Sequence, residues 1–383
     1  MYIQRALEPR LKKALAQFPA CLITGPRQSG KSTLLKTSLS EYRYITFDNP
    51  LLRKTALEDP ELFLSTHPEP VILDEIQYAP ELLTHLKIRI DQERDKPGRF
   101  ILTGSQTFSL MKGVTESLAG RIAIFNLYPL SWKELNKHPT PSEMALQTLR
   151  GFYPELSAHP TFDWNEWYSS YISTYIERDI RNIKAITDLS RFQTFIGLLA
   201  ARAGKMLNLS EVSKECGISQ PTAKDWLTLL EATYIVKILR PYHVNRTKTL
   251  VKTPKLYFVD TGLLCYLLGI DSETRFFRAG ERGHIFENMV IMEKIKQLSF
   301  EPDFSQVYYY RTDSGEEIDL LVERKNQLEA YEIKLTQTLS RDLAAPLHRF
   351  AQEYTLSRAS LLSLQEDRIA LYPDVWAEPW YQM

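Results

Sequence analysis

The stretch Gly25-Pro26-Arg27-Gln28-Ser29-Gly30-Lys31-Ser32 constrains this chain more than any other. Two glycines with four residues between them, then Lys and Ser, match the phosphate-loop pattern. An apolar run from Ala20 to Ile23 precedes it and reads as a buried strand. Ser32 to Leu39 follows and reads as a helix. In that context the glycines let the backbone curl so that its N–H groups face a phosphate chain, and the helix N-terminus adds partial positive charge. The candidate nucleotide ligands are therefore Gly25, Pro26, Arg27, Gln28, Ser29, Gly30, Lys31, Ser32 and the adjoining Thr33. Lys31 is expected to reach the outer phosphates, and the Ser32 hydroxyl to ligate Mg²⁺.

A second strand reads at Tyr44 to Asp48, and a third at Val71-Ile72-Leu73-Asp74-Glu75. The third ends in two carboxylates. A buried strand that delivers Asp74 to a Mg²⁺ shell, with Glu75 polarising the attacking water, is the second half of an ATPase site. Phe100 to Ser105 is the next strand. It ends in small polar residues where a γ-phosphate sensor belongs; Ser105 is assigned that role and Thr103 stands behind it. Arg121 follows one helix later, where an arginine can neutralise transition-state charge in its own subunit or a neighbour's. Strands alternating with helices, with ligand groups at strand ends, describe a doubly wound parallel α/β sheet.

The rest of the composition sets limits. Lys and Arg number 47, as do Asp and Glu, so any affinity for nucleic acid must come from local patches. Cys21, Cys216 and Cys265 are far apart, show no metal spacing and fit a reducing cytoplasm. The longest apolar stretch, Leu263 to Ile270, is too short to cross a bilayer, and the charged N-terminus lacks the apolar core of a signal peptide. A cytoplasmic protein without a membrane partner is expected.

The reading divides the chain into an ATPase domain at 1–135, a helical lid at 136–205, a winged helix at 206–258 and a C-terminal α/β domain at 259–383. His138 to Ser142 is a linker by composition. Trp167, Tyr171, Thr174, Tyr175 and Arg178 recur at helical spacing, and Arg178, Asp179 and Arg181 form a charged knot. That knot reads either as a lid sensor over the nucleotide or as an intra-helix salt-bridge cluster. Leu209 to Cys216 reads as a short helix capped by Ser210, Gly217 as the turn, and Ser219 onward as a second helix. This is a helix-turn-helix pattern, with Gln220, Thr222 and Lys224 expected to face a DNA groove. Ile235 to Arg240 and Lys255 to Val259 can pair as a wing. Between 237 and 258 lie six bases, Lys237, Arg240, Arg246, Lys248, Lys252 and Lys255, and no acids. Such a patch suits a phosphate backbone; the competing use is packing or protein contact.

In the C-terminal region, Gly283 to Leu298 reads as a helix with Glu287 near its start, followed by strands at Tyr308 to Arg311, Glu317 to Glu323 and Leu328 to Leu335. Side chains alternate faces along a strand. Asp319 thus lies opposite Ile318, Leu320 and Val322, while Glu332 and Lys334 share a face. Glu287, Asp319 and Glu332 offer three hard oxygen ligands suited to Mg²⁺ or Mn²⁺. Lys334 beside the ion would position water or stabilise a pentavalent phosphate, as in a metal-dependent phosphodiesterase. The competing reading is an exposed sheet face with an inter-strand salt bridge.

Taken together these motifs resemble a family of prokaryotic AAA-type ATPases that join a phosphate-loop domain to a C-terminal domain of uncharacterised function. The resemblance rests on the segments 25–32, 73–77, 102–106, 118–121, 175–180, 218–222, Tyr257 to Leu263, Phe286-Glu287-Asn288, and Glu317 to Lys334. It implies ATP and Mg²⁺ as cofactors. It also suggests that the C-terminal domain is similar to restriction-endonuclease-like folds, whose Asp and Glu-x-Lys pattern matches Asp319, Glu332 and Lys334. The Pro-Asp that often opens that pattern is replaced by Glu317-Ile318-Asp319. The expected function is an ATP-hydrolysing protein acting on double-stranded DNA through the winged helix and nuclease-like domain. The alternative is a nucleotide-dependent switch or scaffold that binds a protein partner and cleaves nothing. A homo-oligomer is compatible with either.

Overall fold

The computed structural model describes residues 2–104, 113–114, 116–135, 138–176 (only the backbone at 175 and 176), 188–242, 252–303, 305–325 and 327–383. The chain divides into two units. One comprises Met1–Leu130, Tyr153–Ala158 and Ala232–Tyr234; the other comprises Ser131–Phe152, His159–Glu231 and Ile235–Met383.

The first unit is built on a five-stranded parallel sheet. Its strands are β1 (Ala20–Thr24), β2 (Arg43–Thr46), β3 (Val71–Asp74), β4 (Phe100–Gly104) and β5 (Ile122–Asn126), in the spatial order β2-β3-β4-β1-β5. Continuous apolar runs such as Val71-Ile72-Leu73 are what a parallel strand covered on both faces requires. Leu22, Leu73 and Leu102 pack with Leu82, Leu86 and Ile90 of the helix Leu82–Gln92 in one core cluster. Each such side chain contributes about 1.5–3 kcal/mol on burial. β1 lies between β4 and β5, so the loop after β1 opens at a crevice between strand ends, where open α/β sheets bind ligands.

The second unit carries an eight-stranded mixed sheet in the order β12-β13-β11-β10-β9-β8-β6-β7. These strands are β6 (Val236–Pro241), β7 (Lys255–Phe258), β8 (Ser305–Arg311), β9 (Glu317–Arg324), β10 (Gln327–Ile333), β11 (Arg358–Ser363), β12 (Ile369–Tyr372) and β13 (Val375–Pro379). The helix Arg341–Glu353 buries Ala344, Leu347 and Phe350 in a cluster with Leu328, Ala330, Leu361 and Val375. The expected pairing of the segment after Ile235 with that after Lys255 is present as β6 antiparallel to β7. It does not stand apart as a wing: the other edge of β6 joins β8 in parallel through Arg240 and Pro241. The two strands thereby become one end of the large sheet.

The helices Leu209–Cys216 and Gln220–Ala232 flank Gly217, whose φ of 66° ends the first of them in a left-handed turn. The first cap differs from expectation. Asn208 accepts the Glu211 backbone N–H at 3.2 Å, and Ser210 instead accepts from the Gln220 side chain at 2.6 Å. Ser219 caps the second helix as expected, accepting from the Thr222 N–H.

The segment Tyr257 to Leu263 acts as a structural knot. Buried Asp260 accepts the Leu263 N–H at 3.0 Å, the Phe152 N–H at 2.7 Å and the Tyr168 hydroxyl at 2.5 Å. Burial and the neighbouring carboxylate push the Tyr168 hydroxyl well above its ordinary pKa, so it stays a donor. Gly151, at φ 75°, leaves the space this knot needs: a Cβ there would lie 1.9 Å from Tyr168 Oη and 2.5 Å from Asp260 Oδ1. Gly269 has a similar φ of 69° but open space around it. Gly269→Ala should therefore cost only the backbone term of about 1–2 kcal/mol. Gly151→Ala should cost about 2 kcal/mol more. Thermal melts of the two variants check this; equal melting temperatures would contradict it.

Candidate functional site

The phosphate loop is shaped by conformations that side chains resist. Gly25 sits at φ 147°, and a Cβ there would meet the Leu127 carbonyl oxygen at 2.2 Å. Gly30, at φ 90°, turns the chain into the helix Lys31–Ser38, leaving that helix's first N–H groups at the mouth of the loop. Arg5 braces it from the N-terminal segment: its guanidinium donates to the Ser29 carbonyl at 2.6 Å and to the Tyr128 carbonyl at 2.7 Å. Pro26 and Ser29 are buried, Arg27 is half-buried beside the Tyr78 hydroxyl, and Gln28 and Thr33 are exposed.

Lys31 is buried, and its ammonium donates to the carbonyls of Gly25 at 3.0 Å and Pro26 at 2.9 Å. Burial lowers its pKa to about 8 against the pull of Glu75 and Asp74. Ser32 Oγ lies 3.2 Å from both carboxylate oxygens of Asp74. Two hard oxygens at a helix N-terminus beside a phosphate-binding backbone fit a Mg²⁺ ion. The Asp74 carboxylate also accepts from the hydroxyls of Tyr44 and Thr103. Strand register explains both: Thr46 pairs with Asp74, which makes Tyr44 a diagonal neighbour, and Leu73 pairs with Leu102, which carries Thr103 to Asp74.

Glu75 follows at φ 57°, a left-handed position uncommon for this residue type. Its backbone N–H donates to Thr103 Oγ1 at 3.2 Å, and Gln77 donates to its carboxylate. Ser105 lies outside the described residues, as do Arg178, Asp179 and Arg181. Arg121 is engaged with Asp91 through Nε at 2.7 Å and Nη2 at 2.9 Å. Nothing in the local spacing of Arg5 or Tyr44 marks either residue as part of this site.

The second charged centre lies in the C-terminal half. Lys334 Nζ is 2.6 Å from Glu332 Oε1 and 3.3 Å from Asp319 Oδ2, and the Ile333 N–H donates to Asp319 at 2.8 Å. Glu287 is buried on the helix Arg282–Phe300. The structure thus brings Glu287, Asp319, Glu332 and Lys334 into one cluster, joined by residues the sequence did not assign to it. Lys255, expected to serve a basic patch, is only 3% exposed. Its ammonium sits 3.0 Å from Glu287, 2.5 Å from Glu317 and 3.9 Å from Asp319. The Tyr257 hydroxyl adds a bond to Glu287 at 2.7 Å. Lys255 shares one face of β7 with Tyr257, and that buried face meets Glu287, where only carboxylates can balance the ammonium charge.

These residues do not fit a divalent ion. Among the described residues, no group of three or more His, Cys, Asp or Glu is disposed to hold a metal, and two ammonium groups stand between the carboxylates. Burial, then the charge of Asp319, raises the Glu332 carboxyl to about 8; burial and Glu287 raise Asp319 as well. Burial would also raise Glu287, but Lys255, His284 and Tyr257 hold it down at about 2.

The Phe286-Glu287-Asn288 segment has a clear structural task. Phe286 is core, and Asn288 clamps the helix to β7 by accepting the Phe258 N–H at 2.7 Å and donating to the Phe258 carbonyl at 2.8 Å. Of the basic stretch, Lys252 and Arg240 are exposed, while Arg246 and Lys248 lie outside the described residues. Gln220 and Lys224 are exposed on the second helix, but Thr222 is half-buried against Ser219. No helix among the described residues is long and apolar enough to cross a membrane.

Residues 17–136 match an AAA domain, which together with the Lys31, Ser32 and Asp74 geometry defines a P-loop ATPase domain. Residues 143–274 and 282–382 match two domains of unknown function, DUF8612 and DUF4143. The chain is 31% identical to the uncharacterized proteins Rv2008c of Mycobacterium tuberculosis and Mb2031c of Mycobacterium bovis, over 98% of its own length and 83% of theirs, and it belongs to their family. An uncharacterized protein of Haemophilus influenzae is 22% identical over 72% of this chain and 74% of its own. Among solved structures, the Walker-type ATPase PABY2304 of Pyrococcus abyssi is 18% identical with a TM-score of 0.47, covering 70% of this chain and 96% of that one.

The lowered pKa of Lys31 has a measurable consequence. Near pH 8 about half of the nucleotide-free protein carries a neutral Lys31, and phosphates that draw the ammonium to themselves raise its pKa again. Nucleotide binding should then take up about half a proton at pH 8 and approach about one at pH 9.5. Calorimetry in buffers of different ionisation enthalpy checks this. Buffer-independent heats at both pH values would contradict it.

Proposed function

We propose that this protein hydrolyses ATP and uses the nucleotide cycle to control engagement of double-stranded DNA by its helix-turn-helix. The observation that carries the ATPase half is the Ser32 to Asp74 contact at 3.2 Å, with Lys31 and Glu75 next to them in the chain. In this reading the loop N–H groups and Lys31 bind the phosphates, Lys31 exchanging the Gly25 and Pro26 carbonyls for phosphate oxygens. Ser32 and Asp74 would hold Mg²⁺, which when bound neutralises phosphate charge. Tyr44 and Thr103 orient Asp74, and Thr103 also fixes the backbone of Glu75. Glu75 accepts the proton of the attacking water, its carboxylate steered by Gln77. Ser105 remains the proposed γ-phosphate sensor. Arg121 requires release from Asp91 before it can meet a phosphate.

Lys31→Ala should weaken ATP binding by about 10–100-fold, the worth of a charge-assisted contact. A fluorescent-nucleotide titration reads this, and unchanged affinity would remove Lys31 from the site. Glu75→Gln should bind ATP normally and lose about 10²-fold or more in turnover. Normal turnover would move the base elsewhere.

The DNA half is supported by exposed Gln220 and Lys224 on the second helix and by the basic stretch that includes Arg240 and Lys252. Replacing Arg246, Lys248 and Lys252 with Gln should flatten the log–log salt dependence of DNA binding by about 0.9 for each lost phosphate contact. An unchanged slope would favour packing or protein contact. For the C-terminal domain, the position of Lys255 among the carboxylates favours the second reading, a nuclease-like scaffold contacting a protein partner.

A further inference from the structure

The C-terminal cluster draws its carboxylates from separate elements. Glu287 comes from the helix Arg282–Phe300, Glu317 and Asp319 from β9, and Glu332 from β10. All but Glu317 are buried. Buried anions from different elements repel one another unless a cation stands between them. In this chain the cation is covalent. Lys255, on β7, reaches Glu287 Oε1 at 3.0 Å, Glu317 Oε1 at 2.5 Å and Asp319 Oδ1 at 3.9 Å. Lys334 does the same between Asp319 and Glu332. Arg311 pairs with the second oxygen of Glu317. One polar atom is left over: Glu332 Oε2 is buried with no hydrogen-bond partner.

We propose that Lys255 is the resident cation of this site, its ammonium standing where a divalent metal would otherwise bridge Glu287 and Asp319, and that its removal creates a divalent-cation site. A hard ion needs its oxygens at about 2.0–2.6 Å and brings two further positive charges. Those oxygens are the ones Lys255 holds, and an ion beside a buried ammonium meets like-charge repulsion that solvent does not screen. Without that ammonium, Glu287 loses its lysine partner, while Lys334 still pairs with Asp319 and Arg311 with Glu317, so the space between Glu287 and Asp319 carries excess negative charge. Tyr257 continues to orient Glu287, and the Ile333 N–H continues to orient Asp319. The proposal concerns this cluster alone and is independent of ATP hydrolysis.

The test is Mn²⁺ binding to the full chain without nucleotide, read from the loss of the free-ion paramagnetic resonance signal. Wild type is compared with Asp319→Asn, and Lys255→Met with Lys255→Met/Asp319→Asn. Methionine keeps most of the apolar stem of Lys255 and removes the charge. Wild type and Asp319→Asn should bind the same amount of Mn²⁺, because the cluster contributes nothing. Lys255→Met should bind one additional equivalent, and Asp319→Asn should abolish that gain. The proposal is overturned if wild type loses a bound ion on Asp319→Asn, or if folded Lys255→Met gains none. Should Lys255→Met fail to fold, the wild-type comparison still decides, with Glu287→Gln as an independent second variant.

Discussion

Each half of this molecule is organised around a lysine taken out of water, and the partner given to that lysine sets what the site can do. An ammonium cannot remain buried and charged without compensation. Lys31 is compensated by two neutral carbonyls of its own loop, at Gly25 and Pro26. Those contacts are weak enough that burial prevails and its pKa falls. Lys255 is compensated by formal negative charge from Glu287, Asp319 and Glu317, which outweighs burial and raises its pKa. The first lysine can be exchanged onto a ligand. The second is captive.

The rest of the architecture serves these two arrangements. Around Lys31 the parallel sheet supplies rigidity. β1 places the loop at a crevice, β3 delivers Asp74, and the neighbouring strands hold Asp74 through Tyr44 and Thr103. Glycines appear where a Cβ would meet backbone, as at Gly25 against Leu127. Around Lys255 the constraint is charge balance across three elements, and the same elements are pinned by Asn288 on the backbone of Phe258. The buried network there fixes how helix and strands meet, a use of internal polar groups that need not add stability.

Much of the first site was legible in the chain. The loop pattern, the apolar run before it and the paired carboxylates after Leu73 are local, and local spacing is what a sequence displays. Register is not local. Tyr44 reaches Asp74 only because β2 pairs with β3 at Thr46, and Arg5 reaches Ser29 only after the N-terminal segment has folded back. The same limit explains Lys255. In sequence it is one of six bases in a stretch without acids; in space the acids come from residues 287, 317 and 319. Likewise, the segments Tyr257 to Leu263 and Phe286 to Asn288 stand out as motifs, yet Asp260 and Asn288 spend their polar groups on backbone and on Tyr168.

The sequence by itself determined the phosphate loop, the strand that carries Asp74 and the alternation that makes an α/β protein, because each follows from short-range periodicity and the needs of the backbone. It also determined that Asp319, Glu332 and Lys334 would be near one another, since they lie on consecutive strands that pair side by side. Only the tertiary structure decided which charges meet across elements. It joined β6 to β8 and so made the expected wing one end of a larger sheet. It gave Arg121 to Asp91, and it turned Lys255 inward among the carboxylates. Long-range pairing of charges depends on how sheets and helices close upon one another, and no spacing within a single segment carries that information.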